Sequence, residues 1–132
     1  MAYQEGQSAS FSKTITETDV YGFAGITGDF NPLHVNAKEA QAGRFGERIA
    51  HGMLSASFIS TVIATSLPGP GTIYLSQEVK FLKPVKFGDT ITATVVIQKL
   101  LERGKVCLHT FVENQDGELV VDGSALVKLP SA

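Results

Sequence analysis

The stretch IAHGMLSASFISTVIATSL, residues 49–67, contains no Asp, Glu, Lys or Arg. An uncharged run of this length raises the question of a membrane span. Seven of its residues are Ser, Thr or His, Gly52 interrupts it, and nothing around it resembles a membrane anchor. In a chain of 132 residues, a helix that is apolar on nearly all sides is instead expected to be enclosed by a sheet.

The sequence that follows supplies such a sheet. From residue 71 onward it reads as four runs, GTIYLSQEVKFLKPV (71–85), DTITATVVIQKLLE (89–102), KVCLHTFVENQ (105–115) and ELVVDGSALVKL (118–129), rich in Val, Ile, Thr and Phe and often alternating. KFGD, ERGK and QDGE separate them, each with a glycine beside charged residues. Such reversals predict hairpins rather than helical crossovers. The expected class is α+β, an antiparallel sheet wrapped around one long helix.

Upstream of the helix, residues 8–16 alternate loosely as a strand. Thr16 followed by Asp19 predicts a capped helix carrying Val20, Phe23, Ala24 and Ile26 and stopping at Gly28. A short helix is expected around residues 37–42. Pro68-Gly69-Pro70-Gly71 reads as a turn, and one domain spanning 1–132 is expected.

Composition narrows the function classes. With 43% hydrophobic and 18% charged residues and a net charge of −2, the chain lies in the globular range, and nucleic acid is not an expected partner. Cys107 is alone and reads as a small apolar strand residue. The start, MAYQEGQSASFSKTI, has neither the basic residues nor the apolar run of a signal peptide. A cytoplasmic location is therefore expected, with no membrane association.

GDFNPLH, residues 28–34, collects an acid, an amide, a proline and a histidine. Gly, Asp, Asn and Pro are the common turn residues, so an ordinary turn explains most of it. His34 adds a chemical possibility. Fully extended, the segment from Asp29 to His34 would hold its ends roughly 17 Å apart. A turn at Asn31-Pro32 would bring the carboxylate and imidazole onto one water, the minimum equipment for hydration, dehydration or hydrolysis.

A second candidate is AHGM, residues 50–53, at the expected start of the long helix. The first N–H groups of a helix lack intrahelical acceptors and carry partial positive charge, so the Gly52 amide could serve an oxyanion. Packing against the sheet would also explain Gly52, and a core or capping role would explain His51. His109, within a strand, reads as structural. The three histidines lie in separate elements without a ligand spacing, so no metal is expected. Arg44, Arg48, Lys80, Lys83 and Lys86 read as solvated surface, with phosphate binding as the alternative.

FAGITGDFNPLHVNAKEA, residues 23–40, resembles the signature of the MaoC-like (R)-specific enoyl-CoA hydratases, and AHGMLSASFIS, residues 50–60, resembles the segment that follows it. The similarity extends through YLSQEVKFLKPVKFGD to the closing VKLP, and is close to the short bacterial hydratases that feed polyhydroxyalkanoate synthesis. The resemblance implies a hot-dog fold, an acyl-CoA thioester substrate and a homodimer. It also implies reversible syn hydration of trans-2-enoyl-CoA to the (R)-3-hydroxyacyl-CoA. No cofactor is implied, because the thioester is itself the electron sink. It places the catalytic pair on Asp29 and His34, the oxyanion donor on Gly52, a supporting hydroxyl on Ser60 and a loop-shaping role on Asn31. A hot-dog thioesterase, directing water at the carbonyl carbon, and a non-catalytic acyl-CoA-binding module are the competing functions.

Overall fold

The computed structural model describes residues 2–131. Strand β1 (Ser8–Thr14) leads into helix α1 (Glu17–Thr27). Thr16 and Asp19 cap that helix reciprocally: the Asp19 N–H donates to Thr16 Oγ1 at 3.1 Å, and the Thr16 N–H donates to the Asp19 carboxylate at 3.0 Å. A hydrogen bond from Lys13, at 2.8 Å, holds the Asp19 carboxyl below its ordinary value. Gly28 ends α1 in the left-handed conformation, φ 81°. Val20 and Ala24 face the core, whereas Ile26 is 86% exposed. It lies on the far side of the helix from the expected apolar stripe.

Two short helices follow, α2 (Pro32–Val35) and α3 (Ala37–Ala42), and then α4 (Gly52–Thr65). Strands β2 (Ile73–Phe81), β3 (Thr90–Leu100), β4 (Lys105–Glu113) and β5 (Leu119–Lys128) complete the chain. All neighbours are antiparallel, in the order β1-β3-β4-β5-β2.

The turns at ERGK and QDGE join paired strands as expected, β3 to β4 and β4 to β5. KFGD does not close a hairpin, because β2 pairs with β5 at the opposite edge of the sheet. The glycine turn is present locally, with the Asp89 N–H donating to Lys86 C=O at 3.0 Å. The place beside β3 is taken by β1, and Gly88 N–H and Ile15 N–H bond across that junction to Ile15 C=O and Asp89 C=O. The strand beyond a turn is chosen by competition among all edges, which a local signal does not contain.

Alternation on β3 and β4 sends Ile91, Ala93, Val95, Ile97, Val106, Leu108 and Val112 to one face. Against that face α4 buries Leu54, Ser55, Ile59, Val62 and Ile63. Each fully buried aliphatic side chain contributes about 1.5–3 kcal/mol, which fixes the helix on the sheet without help from charge. The enclosure is one-sided: Met53, Ser57, Ser60 and Ala64 remain exposed within the single chain. Gly123 on β5 is required by close approach, since a Cβ there would lie 1.9 Å from the Glu78 carbonyl oxygen of β2.

Candidate active site

The GDFNPLH segment becomes a helix start. Asn31 is the N-cap of α2 and its Oδ1 accepts the Leu33 N–H at 3.1 Å, with Pro32 at the first helical position. The Asp29 Oδ1 accepts the Asn31 N–H at 3.2 Å. Asn31 thus shapes the loop through its side chain. The turn returns His34 towards Asp29, and ligand atoms of Asp29, His34 and His51 lie within 4.8 Å of one another.

These residues differ in exposure. His34 is 9% exposed, whereas the Asp29 side chain is 51% exposed. His34 Nδ1 lies 2.8 Å from the Ile49 carbonyl oxygen. A carbonyl only accepts, so Nδ1 carries the proton and the neutral ring presents its lone pair at Nε2. The Asp29 carboxylate and His34 Nε2 can each accept one proton of the same water.

His51 forms the third corner. Its ring is buried, and Nε2 donates to the Asp29 carbonyl oxygen at 2.9 Å. It stacks on the His34 ring with centroids 3.9 Å apart and planes at 26°, and packs against Phe23 at 5.0 Å. It occupies the N-cap position of α4, yet its side chain makes no capping bond. Capping is therefore not its role. Asp29, His34 and His51 are the only group of possible metal ligands among the described residues, and within it His51 Nε2 is already committed to the Asp29 carbonyl.

Gly52 begins α4, and among the described residues its N–H has no hydrogen-bond partner. A Cβ at Gly52 would meet the Phe81 ring at 2.7 Å, so glycine lets that ring close over the helix terminus. Asp29, His34, His51 and Gly52 line one cavity of about 860 Å³, whose walls include Phe23, Ile49, Phe81, Val85, Val120 and Val121. Arg44 and Lys83 also line it, and Lys83 is paired with Glu118. Arg48 is engaged by Glu17 and Lys86 by Glu47.

Ser60 is not brought to this cavity; it lies on the exposed face of α4. Ser55 lines the cavity instead, buried, with an Oγ that has no partner among the described residues. Its place three residues after Gly52, on the same helix face, was the signal that could have singled it out. Phe81 had none, because it reaches the site from a distant strand. His109 pairs with Asp122 at 2.9 Å across β4 and β5, outside this cavity.

Comparison with known proteins shows the family. The MaoC-like domain model matches residues 2–116. The chain is 51% identical over 128 residues to an (R)-specific enoyl-CoA hydratase of Rhodospirillum rubrum, covering 97% of this chain and 89% of that protein. The solved (R)-hydratase of Aeromonas caviae involved in polyhydroxyalkanoate biosynthesis superposes with a TM-score of 0.95 at 42% identity, covering 98% of both chains. Unliganded R-hydratase PhaJ1 of Pseudomonas aeruginosa gives the same TM-score at 45% identity, covering 98% of this chain and 84% of that one. The fold is the hot-dog fold of those hydratases, and the chain belongs to the MaoC-like domain family.

Proposed function

We propose that this chain is an (R)-specific enoyl-CoA hydratase, a hydro-lyase interconverting trans-2-enoyl-CoA and (R)-3-hydroxyacyl-CoA. The observation that carries this is the convergence of an acceptor pair, Asp29 and His34, with the helix-start amide of Gly52, unpartnered among the described residues, on one largely apolar cavity. The thioester carbonyl oxygen lies at the Gly52 N–H, and the acyl chain lies along Val85, Val120 and Val121. Water hydrogen-bonds to both Asp29 and His34 Nε2, which turns a lone pair towards the β-carbon; as it attacks it gives one proton to the pair and keeps the other as the proton of the new hydroxyl. As the carbon–oxygen bond forms, the π electrons move through the α-carbon to the carbonyl oxygen. There the Gly52 amide meets charge that grows in the transition state, a contribution of about 3–4 kcal/mol. The proton taken from water returns to the α-carbon from the same face, which makes the addition syn. Every atom of the product comes from substrate and water, so the step calls for no redox partner.

Arg44 at the cavity lining suits the phosphates of coenzyme A. Strand β2 leaves one edge unpaired and is exposed along nearly its whole length, with Ile73, Leu75 and Phe81 at 54%, 44% and 51%. Pairing of two such edges into one continuous sheet, a homodimer, is part of the proposal. Light scattering should then give about twice the chain mass of 14.1 kDa, and a fully active monomer would refute it. A cytoplasmic location is also proposed; no described helix is long and apolar enough to cross a membrane.

Crotonyl-CoA tests the activity when enoyl absorbance and free thiol are followed together. Hydration removes the absorbance and releases no thiol. Thiol release would identify a thioesterase, and binding without either change would identify a carrier.

A further inference from the structure

We propose that His51 is a positioning residue that holds both members of the Asp29/His34 pair in register with the Gly52 amide; its kinetic consequence rests on the hydratase assignment above. One imidazole reaches all three parts of the site. Its Nε2–H donates to the Asp29 carbonyl oxygen at 2.9 Å, tying down the half-exposed residue whose carboxylate must hold water. Its ring face lies on His34 at 3.9 Å, which prevents that ring from tilting about its bond to Ile49. Its own backbone leads directly into Gly52, the first residue of α4.

The chemistry of the contacts separates this role from simple filling of the core. Because a carbonyl cannot donate, the Nε2 contact dictates the tautomer, and His51 Nδ1 is left as a buried acceptor without a partner among the described residues. Leaving a buried nitrogen unpaired is unfavourable. A phenyl ring would fill the same space, stack in the same way and avoid that unpaired atom. What it could not do is hold the Asp29 loop. The N–H is therefore the functional part of the side chain, and the ring is its support.

The experiment compares His51→Phe, which keeps a stacking ring and removes the donor, with His51→Gln, whose amide N–H can reach the place of Nε2. For His51→Phe, kcat on crotonyl-CoA should fall about 10- to 100-fold while KM changes less than about threefold, as expected when reacting groups are misplaced but binding walls remain. His51→Gln should recover a large part of the lost kcat. A phenylalanine variant with undiminished kcat, or a glutamine variant no better than phenylalanine, would overturn the proposal. Long-range proton–nitrogen NMR of the unmutated protein at mildly alkaline pH provides a second readout that does not depend on the folding of any variant. It should find His51 protonated at Nε2 and His34 at Nδ1. A His51 protonated at Nδ1 overturns the proposal. Absence of crotonyl-CoA hydration by the unmutated protein would instead refute the hydratase assignment, leaving the tautomers to judge the positioning role.

Discussion

Replacing His34 by asparagine divides the imidazole into its two functions. The asparagine amide nitrogen sits near the place of Nδ1, so it can keep the 2.8 Å bond to the Ile49 carbonyl while nothing replaces Nε2. Loss of an acid–base group should lower kcat by about 10²–10⁴-fold, equivalent to about 3–5 kcal/mol in the barrier. KM should change little, because the carbonyl anchor at Gly52 and the apolar walls are untouched. His34→Gln provides the structural control. Its amide is too far out to serve Ile49, leaving a buried carbonyl unpaired at a further cost of about 1–3 kcal/mol in stability. The two variants should therefore be similarly inactive but differ in urea midpoint. Asp29→Asn should be comparably inactive, and the Asp29→Asn/His34→Asn double variant scarcely worse than the poorer single one, since both groups act on one water. Initial rates of loss of enoyl absorbance measure all four. If His34→Asn retained more than about a tenth of the normal kcat, Nε2 would not be the acceptor and the mechanism built on it would fail.

Gly123→Ala should destabilise the fold by about 2–4 kcal/mol in urea unfolding, because its Cβ would collide with backbone at Glu78 that cannot rotate away; a loss near zero would mean that β2 is free to shift. Asp19→Asn removes the charge facing Lys13, and with those side chains 23% and 37% exposed the cost at neutral pH is at most about 1 kcal/mol. Since folding lowers the Asp19 pKa from its ordinary 3.8, the normal protein's advantage is present above that value and vanishes as pH falls through the folded-state value. Melting temperatures of the two proteins should thus converge in acid, and a gap that widened there would contradict the assignment. The product should be the (R) alcohol: coupling to an (S)-specific 3-hydroxyacyl-CoA dehydrogenase should produce little reduced nicotinamide as the enoyl absorbance disappears, and steady production would rule out the proposed stereochemistry.

Much of this protein is legible along the chain because the signals are local or periodic. Thr16 and Asp19 sit three apart, the separation at which each side chain meets the other's backbone N–H. Gly28 and the alternation from Ile91 to Ile97 likewise need only their own neighbours. The lack of charge in residues 49–67 announced a helix packed on a sheet, but not that Met53, Ser57, Ser60 and Ala64 would stay exposed on its far side in the single chain. Asp29 and His34 could be paired in advance because a single turn, shaped by Asn31 and Pro32, separates them.

What the tertiary structure alone decided are relations between distant segments. Strand β2 lies beside β5 because β1 occupies the edge next to β3, a competition that KFGD cannot express. Of the α4 serines, Ser55 and not Ser60 lines the cavity, because the rotation of α4 about its axis is set by which side packs on the sheet. His51 holds Asp29 from 22 residues away, and Phe81 covers Gly52 from the end of another element. The chemical groups and their local turns are written in the sequence, where interactions act over a few residues. Their orientation towards one another awaits the burial of α4 against β3, β4 and β5, since only packing converts positions far apart in the chain into distances of a few ångströms.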